Sequence, residues 1–235
     1  MATYRDTKGY TIETVTADPV PGLVAWSSGG NVNEARYGAG SGGTRTAAFI
    51  ASGYAPTVPG VTVNHEQYDG TTWSEAANLA NGRNYIGSAG TATAALAFAG
   101  YLDPGWSLNN EEWNGTSWSE KANLTSGRYN GVSFGTSTAA IFGGGAAPPS
   151  HSNVALCEQY DGSSWTEVAN LNTARGGGLS AGTGIVTAGI FIGDTTTEQW
   201  NGSSWTEIVD LNTTRCCGMA SGTSTVCIFA GGPGT

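Results

Sequence analysis

The sequence predicts an all-β chain of repeated four-stranded units. Three observations carry that prediction. Tryptophans recur at Trp26, Trp73, Trp118, Trp165 and Trp205, with spacings of 47, 45, 47 and 40 residues. Each is followed at fixed offsets by the same residue types. The composition is also rich in turn formers and poor in charge, with 37 glycines and only 11% charged residues among 235. Such a chain is long enough for a sizeable core but a poor match to a solvated helical bundle or coiled coil.

The repeat can be followed along one unit. Six residues after each Trp stands an aliphatic (Val32, Leu79, Leu124, Leu171, Leu211), and ten after it an arginine (Arg36, Arg83, Arg128, Arg175, Arg215). A strand of small residues follows, such as 85–89, and is expected to turn at a Gly-Thr pair seven residues after the Arg. The pairs are Gly43-Thr44, Gly90-Thr91, Gly135-Thr136, Gly182-Thr183 and Gly222-Thr223. An apolar second strand comes next, as in 94–99 and 139–142. A loop leads to a third strand closed by an aromatic, Tyr68, Trp113, Tyr160 or Trp200. The Asp-Gly or Asn-Gly that follows (Asp69, Asn114, Asp161, Asn201) is a strong hairpin signal. The repeat Trp lies on the fourth strand. Asn114 and Asn201 also begin glycosylation sequons, but the hairpin explains them better.

Four strands repeated every 40 to 47 residues read as the blade of a β-propeller. Small residues suit first strands that crowd an axis. The last unit, from Arg215, has room only for two strands, whereas residues 10–30 lack an inner pair. The expected fold is therefore one domain over 1–235 with five blades. Its inner strands start near the five arginines, and residues 10–30 complete the blade begun at Arg215. Closure of that kind removes exposed sheet edges.

The glycines ending the second strand (143–145, 231–232), the aromatic closing the third and the Trp soon after it resemble kelch repeats. The phrase at 158–167, with Asn170-Leu171-Asn172-Thr173-Ala174-Arg175 after it, is similar to kelch-type repeats in virion and tail-associated proteins of marine bacteriophages. The likeness spans nearly the whole chain. It implies a propeller and a place on a viral particle, virion-bound or extracellular after assembly, more than it implies an activity. Two departures stand out. Kelch propellers usually have six or seven blades, and the segment 10–25 carries Asp18-Pro19-Val20-Pro21-Gly22 where the hairpin phrase should be.

Nine basic residues face eighteen acidic ones, and a net charge of −9 argues against nucleic acid or an anionic membrane as partner. No apolar run reaches the ~20 residues of a membrane span, and the first residues lack the apolar core of a secretory signal. Cys157, Cys216, Cys217 and Cys227 lack metal-site or redox spacing and read as reduced, mostly buried thiols. No metal site and no cofactor are expected. His65 and His151 share no slot in the repeat, mark no nucleophile constellation and read as polar surface.

Glutamates recur two residues after the Trp (Glu75, Glu120, Glu167, Glu207) and seven before it (Glu66, Glu111, Glu158, Glu198). Catalysis breaks symmetry, so residues repeated in four units point to structure, most simply a Glu–Arg pair within each blade. Alternatively, Arg36, Arg83, Arg128, Arg175 and Arg215 form a ring around a central anion. Asp-Gly-x-x-Trp also resembles part of the Asp-box of sialidase propellers, one residue short.

Function is expected where the units differ. Loops 54–64, 101–110 and 145–155 are long, contain five of the eight prolines and share a face with the Trp-to-Arg connections; loop 193–197 is short. Trp106 is the one Trp among eight outside the repeat pattern. With Tyr54, Tyr101 and His151 it makes a candidate ligand surface, unless it is a local plug. The expected protein is non-enzymatic, a recognition or structural module that binds a glycan or a host or virion protein, without nucleic acid or membrane insertion. A polysaccharide-acting enzyme and a purely architectural ring are the alternatives. Oligomeric state is open.

Overall fold

The computed structural model describes residues 29–57, 59–102, 104–176, 180–193, 195–213 and 218–230, with the backbone of two short strands nearer the N-terminus. Two compact units divide the chain, Met1–Gly30 and Asn31–Thr235. The described part of the first is an antiparallel pair, Tyr4–Arg5 with Thr11–Ile12. The expected completion of a blade by residues 10–30 falls largely outside the described residues, as do Arg215, Cys216 and Cys217.

The second unit is all-β. Among the described residues no helix forms, so none is long and apolar enough to cross a membrane. Four antiparallel sheets of four strands succeed one another along the chain. The first comprises Gly40–Thr44, Ala47–Ala51, His65–Tyr68 and Trp73–Ala76. The second comprises Gly87–Thr91, Ala94–Phe98, Asn110–Trp113 and Trp118–Lys121. The third comprises Val132–Thr136, Ala139–Gly143, Cys157–Tyr160 and Trp165–Val168. The fourth comprises Ser180–Ile185, Ala188–Gly193, Thr196–Trp200 and Trp205–Glu207. A two-stranded sheet, Met219–Gly222 with Cys227–Ala230, follows. Each four-stranded sheet has the blade-like order of a propeller, with the chain stepping from one strand to its neighbour.

Among the described residues the core forms three layers, one between each successive pair of four-stranded sheets. Phe49, Ala51, Leu79, Ala95, Ala97 and Trp113 fill the first. Leu96, Phe98, Leu124, Phe142, Tyr160 and Trp165 fill the second. Val132, Phe134, Ile141, Leu171, Phe191, Trp200 and Trp205 fill the third. Side chains alternate faces along a strand, so Ala95 and Ala97 face one neighbouring sheet while Leu96 and Phe98 face the other. That is why the second strand is apolar throughout. Leu79, Leu124 and Leu171, the aliphatics six residues after the Trp, are buried in these layers. The Phe98 ring lies where a Cβ on Gly87 would go, so that first-strand position admits only glycine without repacking.

First strands of successive sheets lie side by side, where small residues allow a serine ladder. Ser88 Oγ donates to the Ser41 carbonyl at 2.9 Å and accepts from the Ser41 N–H at 3.0 Å. Ser133 Oγ repeats both bonds with Ser88. The corresponding position in the fourth sheet is Gly182, paired with Phe191 as Ser133 is with Phe142. The ladder therefore stops there, and Thr183 Oγ1 bonds the Gly222 carbonyl instead at 2.8 Å.

Both turns differ in detail from expectation. Gly43, Gly90, Gly135 and Gly222 hold φ between 109 and 129°; in the first three units the Gly-Thr pair ends the first strand and the next two residues make the turn, whereas the strand Met219–Gly222 ends on the glycine itself. In the fourth unit the turn is displaced by two residues: Ile185 pairs with Ala188, and Gly184 (φ 141°), not Gly182, holds the glycine slot. The Asp-Gly hairpin is a four-residue loop, because Tyr68 pairs with Trp73. Asp69 Oδ1 caps it by accepting the N–H groups of Thr71 and Thr72, both at 2.8 Å. Asn114 does the same for Thr116 and Ser117, so amide and carboxylate are interchangeable here. The Thr71 hydroxyl, with the Thr72 and Thr71 N–H groups, holds the Asp69 carboxyl well below the usual range, and at Asp161 the Ser164 N–H, with the Ser163 hydroxyl and N–H, lowers the carboxyl to about 2.

Candidate functional site

The site is built on the repeat arginine. Arg83 Nη1 meets Glu111 Oε1 at 2.8 Å, and Arg36, Arg128 and Arg175 pair in the same way with Glu66, Glu158 and Glu198. All four pairs have buried side chains. The guanidiniums also donate to backbone carbonyls of their own sheet: Arg83 to Ala97 at 2.9 Å, and Arg128 to Phe142 and Gly144 at 3.0 Å. The second carboxylate oxygen grips the connection that follows the Trp. Glu111 accepts the Ala80 N–H, Glu158 the Thr125 N–H and Glu198 the Asn172 N–H, each at 2.8 Å. These Ala, Thr and Asn residues directly follow Leu79, Leu124 and Leu171. Each clamp ties a third strand to the connection that leads from the preceding Trp into the first strand of the same sheet. An anion ring does not fit this arrangement: Arg36, Arg83, Arg128 and Arg175 are each committed to their own glutamate, and Arg215 lies outside the described residues.

The same arginines fix the backbone at the loop end. Gly53 donates to the Arg83 carbonyl at 2.9 Å, Gly100 to that of Arg128 at 3.0 Å and Gly145 to that of Arg175 at 2.8 Å. The residue after each Arg then bridges the start of its own long loop: Tyr37 with Tyr54, Asn84 with Tyr101 and Tyr129 with Ala146. The loops themselves are short hairpins, Tyr54–Ala55 with Gly60–Val61, Tyr101–Leu102 with Gly105–Trp106 and Ala146–Ala147 with Ser152–Asn153. Backbone from three units is thereby held at one end of the sheets.

A cavity of about 600 Å³ opens there, lined by Tyr37, Tyr54, Tyr85, Tyr101, Tyr129 and His151, with Asn84 and apolar loop residues between them. Small-ligand sites fall in the same size range, ~300–1,000 Å³. Ring centroids follow one another at 5.2 Å (Tyr54–Tyr37), 6.1 Å (Tyr37–Tyr85), 6.0 Å (Tyr85–Tyr129) and 5.3 Å (Tyr129–Tyr101). Tyr129 Oη and His151 Nδ1 are 3.1 Å apart. Desolvation, followed by the neighbouring Tyr85 and Tyr54, raises the Tyr37 phenol above its ordinary pKa.

Tyr54, Tyr101 and His151 thus meet at one cavity, whereas Trp106 stands beside it. Its ring packs 5.0 Å from His151, and its Cβ lies 3.3 Å from where a Gly127 side chain would begin. That position suits a local plug. Sequence reasoning missed Tyr37, Tyr85 and Tyr129. The available signal was their position one or two residues after the repeat Arg.

His65 is not polar surface. It opens the third strand of the first sheet, fully buried, with its ring 4.5 Å from Trp113 and 5.3 Å from Trp118. Trp118 Nε1 donates to its Nδ1 at 3.2 Å. Desolvation pushes the imidazole down to about 4. Cys157 fills the corresponding position of the third sheet, and burial pushes its thiol up to about 11, making it inert. Cys227 is only half-buried.

No family model matches the chain, and no curated protein matches it.

Proposed function

We propose that the chain is a five-bladed, kelch-like propeller acting as a non-enzymatic recognition module on a phage particle, and that it binds a glycan or a protein through its loop face. One observation carries the binding reading: five tyrosines from three units converge on a single cavity that the repeat itself does not need. Tyrosine supplies large contact area at low entropic cost, together with a hydroxyl to orient a polar partner. The buried glutamates support a non-enzymatic reading, since each is engaged by an arginine and a loop N–H. The viral location is supported by the repeat phrase, and the fifth blade by the two-stranded sheet that ends the described chain. In that blade, residues 10–30 supply the outer strands.

The test is a screen of the intact protein against immobilised glycans and purified bacterial surface proteins. It would include Tyr129→Ala on the loop face and Thr116→Ala on the opposite turns. Binding reduced by the first substitution and unaffected by the second is expected. Binding indifferent to both would remove the loop face as the recognition surface.

A further inference from the structure

We propose that the tyrosine cavity takes an extended, uncharged oligosaccharide, with successive sugar rings laid along the row of phenols. The proposal rests on the loop-face reading and adds the ligand class. Three observations lead to it.

The first is shape. Tyr54, Tyr37, Tyr85, Tyr129 and Tyr101 follow one another at 5.2 to 6.1 Å, neighbouring rings tilted by 31 to 59°. They make a continuous curved wall, with a step close to the length of one pyranose unit. Such a wall fits a chain of rings better than a single compact head group. Phenol faces take the C–H faces of sugars, and their hydroxyls reach sugar hydroxyls.

The second is charge. Among the described residues no Asp, Glu, Lys or Arg side chain lines the cavity. The nearest guanidiniums in sequence, Arg36, Arg83 and Arg128, are buried on their glutamates. An acidic or sulfated sugar would enter an electronegative aromatic pocket on a chain of net charge −9 with no lysine or arginine to meet it among the described lining residues. A neutral sugar needs none.

The third is strain. Tyr85 holds φ 53°, the left-handed region, where a bulky residue is a genuine outlier. The same position is Gly38 in the first unit and Asn130 in the third, both residues that enter that region readily. A Cβ on Gly38 would lie 2.8 Å from the Tyr85 nitrogen and 3.1 Å from its ring Cδ1, so a bare glycine in the preceding unit leaves room for this backbone and ring. The fold tolerates an unfavourable conformation to set Tyr85 between Tyr37 and Tyr129, and strain of this kind gathers at functional sites.

Calorimetric titration of the full chain tests the proposal. The probes are neutral hexaoses (cello-, laminari- and maltohexaose), an oligoalginate of equal length and choline. At least one neutral hexaose should bind, more tightly than its trimer and with no loss at high salt. Tyr85→Asn should weaken it about tenfold, while thermal unfolding shows a fold at least as stable as the parent. Preference for the oligoalginate, competition by choline, or hexaose binding unchanged in Tyr85→Asn overturns the proposal. Absence of hexaose binding overturns it too. If a protein ligand is then lost on Tyr85→Asn, the loop-face reading survives alone; if no ligand responds, both fall.

Discussion

Two side chains escape the repeat and illustrate opposite outcomes. His65 stands where the second, third and fourth sheets carry Asn110, Cys157 and Thr197, and it is sealed among Phe49, Trp113 and Trp118. Its folded-state pKa of about 4 lies below the unfolded ~6.5. The unfolded chain therefore binds the proton first as pH falls. Stability is complete above pH ~6.5 and is lost progressively down to about 4, by roughly 3 kcal/mol in all. Urea unfolding at pH 7.5 and 4.5 should show this loss, and His65→Asn, the residue of the second sheet, should flatten it. An equal pH dependence in that variant would refute the assignment. Tyr85 is the converse case, a residue less favourable to the fold than the Gly and Asn in its slot. Its replacement by Asn should keep or raise the melting temperature while weakening ligand binding, the usual trade at a strained site.

At the scale of elements, the buried Arg–Glu clamp links third strands to the connections beside the loop face. Arg128 spans Glu158, the Ser126 carbonyl at 3.2 Å and the ends of the second strand, with its guanidinium 4.5 Å above the Phe142 ring. Arg128→Met should cost ~3–5 kcal/mol, because Glu158 remains buried without its partner. The double variant Arg128→Met/Glu158→Gln should recover part of that loss, as chemical unfolding would show. Simple additivity of the two substitutions would contradict the coupling. The clamp was half legible: Glu and Arg recur at fixed distances from the same Trp, which suggests pairing. Position alone could not say which of the two glutamate series is used. The answer is the third-strand series, because the fourth-strand residues Glu75, Glu120, Glu167 and Glu207 lie exposed. The fourth turn was misplaced for a related reason. Gly182-Thr183 matches the motif, yet the run Arg175-Gly176-Gly177-Gly178 precedes it, and pairing with the second strand sets the register two residues later.

For the molecule as a whole, the proposed closure has a direct consequence. Deleting residues 1–30 should leave the strand Cys227–Ala230 as an open edge, which promotes association. Analytical ultracentrifugation should find the shortened chain aggregating, and a peptide of residues 10–30 added in trans should reverse it. A monomeric, fully stable shortened chain would remove the fifth blade as proposed.

The order of residues was enough to establish the period, the strand order within the four-stranded units, the small residues of the first strands and the face on which the units differ. All of these depend on local pattern: alternation, turn residues and fixed offsets from one tryptophan. Which side chains meet was settled by packing between the sheets. It turned Arg36, Arg83, Arg128 and Arg175, four of the five arginines offered as an anion ring, into clamps, because burial demands a partner for every charge. It buried His65 and set Trp106 behind His151. It also gathered Tyr37, Tyr54, Tyr85, Tyr101 and Tyr129 from three units into one wall. Those residues are as much as 92 positions apart in the chain, and no sequence interval records that stacking successive sheets brings their loop ends together.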